Sequence, residues 1–400
     1  MSDAVVNASR IARLRIAIVG GRGLPSTYGG TETFVSEVAP RLAERGHDVT
    51  VYCRKSLFKD RPSTYRGVHL VYTPSIETKS LGTLTHTFFS MFDLVRREFD
   101  AVLITNVANA LHCMIPRLAG KHCALNVDGI EWRRGKWNAF GKAYFYLSAR
   151  LCGKILPRGI VTDAYAMRQL YMDQFNTPSA CIAYGANIDS STNPAVLRRY
   201  GLQPRKYYLI VGRLVPENNA DLMLEGFKRS QIQRPLVIVG DANYKSRFVE
   251  ELKKSAGTQV LFLGHISDSQ HLRELFCNAY AYLHGHTVGG TNPALLQALG
   301  SGNCILAHAN SFNREVLNSH GMLFHDADDL AAKISLIDND PSLAASYRRR
   351  APERIRAVYT WDRITDQYEE LFHQLAAGED VTQVHSSVRQ DAPEPDLQPQ

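Results

Sequence analysis

The stretch "HGHTVGGTNPALLQALGSGNC" (residues 284–304) decides the reading of this chain. It closes an apolar, strand-like run, passes Gly289 and Gly290, and continues from Asn292-Pro293 as an apolar helix. Asn292 is a good N-cap and Pro293 a good first helical residue. Gly289, Gly290 and Thr291 therefore fall just before a helix N-terminus, where open N–H groups and the positive dipole end suit a diphosphate. A second junction of this kind, "IAIVGGRGLPSTYGGTETFV" (residues 16–35), lies near the N-terminus. Two such junctions in one chain imply two ligand-holding loops, each outside the carboxyl end of a strand.

Outward from these junctions, short apolar runs alternate with longer helical patterns. "LRIAIVG", "DVTVYC", "VHLVY", "DAVLIT" and "HCALNV" read as buried strands, and the rhythm restarts after Tyr207 with "YYLIVG", "PLVIVG", "QVLFLG", "AYLH", "NCILA" and "GMLF". Such alternation gives parallel sheets with helices on both faces. The expected fold class is α/β, with two tandem Rossmann-like, doubly wound domains facing across a cleft. The first is expected over 1–195 and the second over 196–375, with a final helix that crosses back. Residues 376–400, polar and Pro-rich, read as a disordered tail. Pro40 is expected to disturb the middle of the helix that Gly46 closes.

Four hundred residues call for two domains, and the 44% apolar and 21% charged composition is that of a soluble globular protein. The net charge of +7 favours anionic partners. The 7 cysteines form no C-x-x-C pair and suit a reducing cytoplasm. No apolar run reaches the length of a spanning helix. The glycine loop after the first strand does not complete the dinucleotide fingerprint, so a nicotinamide site is a poor reading.

Arg213, in "VGRLVPENN", lies just past a strand end. Alone it would be an ordinary surface ion-pair former. Beside the Gly289–Pro293 junction it reads as a guanidinium that grips phosphate. Asp128, in "NVDG", either orients a hydroxyl or simply makes an Asp-Gly turn. Glu32 either meets substrate or stabilises a helix start. His284 and His286 are too few for a metal site, and His286 lies next to the candidate diphosphate loop.

These stretches, with "NVDGIEWRRGKW" and "YGANI", resemble glycosyltransferase family four, with its GT-B fold, and within it a bacterial rhamnosyltransferase-like subgroup. The resemblance spans roughly residues 15–315. It implies a retaining transfer from a nucleotide sugar, with the donor in the C-terminal domain, the acceptor mainly on the N-terminal one, and neither cofactor nor metal. On the matching positions it makes Arg213 and Asp128 the catalytic candidates. It makes Tyr28, Gly29, Gly30, Glu32, Asn218, His286, Gly289, Gly290, Thr291, Asn292 and Gln297 the substrate-binding ones. The family commonly carries Glu-x7-Glu where this chain has Gly289 and Gln297, and a lysine where it has Asn218. An uncharged amide still accepts one hydrogen bond from a ribose. A thymidine nucleotide, with deoxyribose, needs one fewer, which suits a dTDP-sugar. The same losses suit a non-catalytic nucleotide-sugar or glycan binder.

The acceptor side is read from "EWRRGKWNAFGKAYFYLSARLCGKILPRG". Arg133, Arg134, Lys136, Lys142, Arg150, Lys154 and Arg158 stand against the single Glu131, with aromatic residues between them. Trp137, Phe140, Tyr144, Leu147 and Leu151 form a helical stripe. Either the stripe faces the core, or the segment meets an anionic membrane and a polyprenyl-diphosphate-linked glycan. The second reading places the protein in the cytoplasm, peripheral at the inner face of the plasma membrane, in surface-polysaccharide assembly. No nucleic-acid module is recognisable.

Overall fold

The computed structural model describes residues 12–25, 29–78, 81–242 and 246–384. Its first sheet contains β1 (Arg15–Val19), β2 (Asp48–Arg54), β3 (Thr64–Tyr65), β4 (Val68–Thr73), β5 (Ala101–Thr105), β6 (Cys123–Asn126), β7 (Ile160–Thr162) and β8 (Ala180–Cys181). Their order is β3-β4-β2-β1-β5-β6-β7-β8. The second sheet contains β9 (Tyr208–Val211), β10 (Leu236–Val239), β11 (Val260–Gly264), β12 (Ala281–His284), β13 (Cys304–His308) and β14 (Met322–Phe324), in the order β11-β10-β9-β12-β13-β14. Every strand pair is parallel except β3 with β4. These are two Rossmann-like sheets in tandem. In each, the strand order reverses beside the first strand, between β1 and β5 and between β9 and β12. That is where an open parallel sheet leaves a crevice for ligands.

The inner strands are covered on both faces, so they need apolar residues throughout instead of alternation. All of "AVLIT" in β5 and "LVIV" in β10 is buried. The helix Gly30–Glu44 buries Phe34, Val35, Val38, Ala39 and Leu42. It runs unbroken through Pro40, against expectation. Pro40 is itself buried there, and the apolar face on either side of it offsets a cost of about 3 kcal/mol for proline inside a helix.

The last helix, Trp361–Ala376, returns to the first sheet. Its Tyr368 hydroxyl accepts from Asn126 Nδ2 at 2.8 Å, and its ring centroid lies 4.7 Å from that of Phe34. Glu369 pairs with Arg45 at 2.5 Å and with His47 Nε2 at 2.8 Å. The tail expected from residue 376 does not hold for residues 377–384, which are packed. Val381 and Val384 are buried, and Cys181 N–H in β8 donates to the Val384 carbonyl at 3.1 Å. Burying those two valines explains why 377–384 stays docked; residues 385–400 lie outside the described ones.

The connection between the sheets is anchored by Glu274. This fully buried carboxylate accepts from Ser191 Oγ at 2.6 Å and from the N–H groups of Thr192 and Asn193, each at 2.8 Å. Burial pushes its pKa up, but these donors bring it below the usual range. Among the described residues no helix is long and apolar enough to cross a membrane.

Candidate functional site

The two glycine junctions meet. Gly30, at the start of its helix, lies so near the other junction that a Cβ there would come within 3.0 Å of Pro293 Cγ. The helix Gly30–Glu44 thus opens against the helix Pro293–Gly300. Asn292 caps the latter by accepting the Ala294 N–H at 2.9 Å. Gly29, the residue before the first helix, accepts the Thr33 N–H at 2.9 Å through its carbonyl. Tyr28 lies outside the described residues.

Across this gap each domain lends the other a carboxylate. Asp163, just past β7, accepts the Thr291 N–H at 3.1 Å on Oδ2, and its carbonyl accepts from Thr291 Oγ1. Gly290 is pressed so closely on it that a Cβ would sit 1.8 Å from Oδ1. In return Glu315, on the helix Ser311–Leu317, accepts the N–H groups of Tyr165 and Ala166 at 2.8 and 3.0 Å. Those amides open the helix Tyr165–Phe175, where a negative charge is favoured. Burial, then the fields of Asp128 and Glu315, raise the Asp163 pKa well above the carboxylate range. The Thr291 amide, expected to face a ligand, is therefore engaged by Asp163. Sequence reading missed Asp163, whose only signal was one acidic residue after the short run "GIVT".

Arg213 follows β9 and is exposed. Asn218 is buried, and its Nδ2 donates to the Arg213 carbonyl at 2.7 Å. It therefore braces the Arg213 backbone, a use of the side chain that the sequence did not suggest. Gln297 is half-buried, and its side-chain amide makes no hydrogen bond among the described residues. His286 stacks on His284 at 4.5 Å and 10° between planes. Burial, then the charges of Arg213 and Arg134, push its pKa down to about 3, so it is a neutral imidazole at ordinary pH.

On the other wall, Asp128 Oδ2 accepts from Thr31 Oγ1 at 2.7 Å and from Tyr184 hydroxyl at 3.1 Å. Burial raises its pKa, as it does that of Glu32, which lies 4.0 Å from Arg22. Both carboxyl groups border the first glycine junction.

The basic segment divides. Arg134 and Lys136, expected on an outer surface, turn inward to Glu131, with Arg134 Nε 2.7 Å from Oε1 and Lys136 Nζ 2.9 Å from Oε2. Their reason is a buried carboxylate that needs counter-charge. Arg133, Arg150, Lys154 and Arg158 stay exposed. The core face of the helix Ala139–Ile155 is Phe145, Ser148, Ala149 and Cys152. The apolar stripe divides: Trp137 and Tyr144 pack against the core, whereas Phe140 is 81% and Leu147 48% exposed. Phe88, Phe89 and Phe92 are also exposed, on the helix Leu81–Leu94, and so is Leu118 on the helix Met114–Leu118.

Residues 28–180 match the family model described as Glycosyltransferase Family 4, and residues 198–354 that of Glycosyl transferases group 1. A curated relative, the phosphatidyl-myo-inositol mannosyltransferase of Mycolicibacterium smegmatis, is 22% identical over 382 residues, 91% of this chain and 95% of that protein. Among solved structures, sucrose-phosphate synthase from Thermosynechococcus elongatus superposes with TM-score 0.74 at 18% identity, over 92% of this chain and 100% of that one. HepE of Anabaena, solved with UDP and glucose, gives 0.72 at 15% identity, over 90% and 100%.

Proposed function

Because the chain is a GT-B glycosyltransferase, moving a sugar from a nucleotide-sugar donor to an acceptor, we propose that it transfers rhamnose or another deoxyhexose from a dTDP-sugar, with retention, in surface-polysaccharide assembly. The observation that carries this reading is the meeting of the two glycine junctions at Gly30 and Pro293, with Arg213, just past β9, acting on His286 ahead of the second junction. The donor diphosphate lies against Arg213 and the amide of Gly290. Asp163 anchors the turn through Thr291, so that these donors stay aimed while negative charge grows on the leaving group. The departing phosphate oxygen takes the acceptor proton as the sugar bonds to the acceptor on the same face. Asp128 and Glu32 border the acceptor. Incubation with dTDP-, UDP- and GDP-sugars tests the reading: release of dTDP from a dTDP-deoxyhexose supports it, and turnover of UDP- or GDP-sugars alone removes the donor assignment.

Gln297 supports the thymidine choice, because its half-buried amide is an uncharged partner for a sugar ring. Gln297→Glu is expected to preserve or raise kcat/KM, since a charge-assisted bond is stronger than a neutral one. A large loss in steady-state kinetics would show a site built around the neutral amide.

The acceptor is a glycan on a polyprenyl diphosphate, presented at an anionic membrane. Exposed Phe140, Leu147, Phe88 and Phe92 and the exposed Arg150 and Lys154 support this. Each cation near an anionic leaflet contributes about 1 kcal/mol. The protein is expected to sediment with phosphatidylglycerol vesicles at low salt and to leave them at high salt. Arg150→Gln with Lys154→Gln should weaken that binding and spare turnover of a soluble acceptor. Indifference to such vesicles at low salt would remove the membrane reading.

A further inference from the structure

Arg134 belongs to the N-terminal sheet's side of the molecule, yet it reaches the donor turn. Its terminal Nη2 lies 3.9 Å from the position of a Cβ on Gly289 and 3.1 Å from one on Gly129. Gly289 has φ +141 and carries no side chain that could neutralise the guanidinium. Arg134 itself is held, not waving: its side chain is 16% exposed and its Nε lies 2.7 Å from Glu131 Oε1. Glu131 is kept in place in turn, since Oε2 also accepts from Trp137 Nε1 at 2.9 Å and pairs with Lys136 at 2.9 Å. The ion pair with Glu131 thus orients the guanidinium, and Nη2 lies at the Gly289 turn.

Arg134 shares that space with Arg213. Both lower the pKa of His286, after burial, and both lower that of Lys136, after burial. Arg134 is the cation seen at the Gly289 turn, with Lys136 beside it on Glu131 and Arg213 close enough to act on His286 and Lys136. The anions of the same neighbourhood are Glu131, already committed to Arg134 and Lys136, and Glu217, whose Oε2 lies 3.7 Å from a Cβ position on Gly135. One carboxylate between two cations, with a third cation near, leaves an excess of positive charge that an anionic ligand would offset.

We propose that Arg134 is a cross-domain ligand of the donor's β-phosphate, positioned by Glu131, so that the N-terminal domain completes the diphosphate site. This rests on the donor reading above. Arg213 then holds the diphosphate from the domain that binds the nucleotide, and Arg134 adds its guanidinium from the acceptor side. The leaving group then meets charge from both domains at once.

The test measures dissociation constants of dTDP and dTMP, and of UDP and UMP in parallel, by calorimetry. Wild type, Arg134→Ala and Arg134→Lys are compared as full chains, with thermal melts as a check on folding. The lysine variant keeps a charge beside Glu131 and loses the fork, so it covers the case in which the alanine variant does not fold. Both variants are expected to lose about tenfold or more for the nucleoside diphosphate and less than about threefold for the monophosphate. Unchanged diphosphate binding overturns the inference, and so does an equal fall for diphosphate and monophosphate, which marks a merely structural role. A response confined to UDP keeps Arg134 and overturns the thymidine donor. A wild-type protein that binds neither nucleoside diphosphate overturns the donor reading and this inference with it.

Discussion

Arg213→Ala is expected to lower transfer by about a hundredfold or more while the protein remains folded, the usual cost of removing one preorganised electrostatic donor. The side chain is exposed at the end of β9, outside the buried core, so its loss opens no cavity. The backbone there is held independently, by Asn218 Nδ2 on the Arg213 carbonyl at 2.7 Å. The effect should therefore fall on the leaving diphosphate and not on the loop. Steady-state turnover beside a thermal melt checks it, and near-normal turnover in a folded variant removes Arg213 from the donor site.

Gly290→Ala is expected to have an effect of the same order by a steric route. The new Cβ would sit 1.8 Å from Asp163 Oδ1 and 2.2 Å from its Cγ. Asp163 is short, buried and tied to Thr291, so it has no room to yield. The turn and the opposing domain must separate, and a displacement of about 1 Å at reacting atoms costs about a hundredfold. Combining Gly290→Ala with Asp163→Gly should recover part of the lost turnover, because it clears the clash. No recovery, with both variants folded, would mean that the contact does not govern closure.

How far the sequence carried this picture depended on how local each signal was. The inner strands declared themselves, because a strand covered on both faces must be apolar throughout, as "AVLIT" and "LVIV" are. Asn292 and Pro293 were legible for the same reason: a helix start is written in two adjacent residues. The strands β7 and β8, of three and two residues, were too short to show a pattern. Pro40 argued locally against a helix that distant packing sustains. The site's inner wall was least legible. Nothing around Asp163 in the chain foretells Thr291, 128 residues away. Arg134 and Lys136 looked like surface charge because their partner Glu131 is buried by the fold and not by its neighbours in sequence. The docking of 377–384 likewise needs β8, which lies far upstream.

The most direct test of the central claim follows purified protein with dTDP-rhamnose and a polyprenyl-diphosphate-linked glycan by NMR. The account predicts that dTDP appears as the rhamnosyl signal moves to the glycan with its anomeric configuration unchanged, and that Arg213→Ala slows both events together. Binding of dTDP-rhamnose without release of dTDP, or a product of inverted configuration, would contradict it.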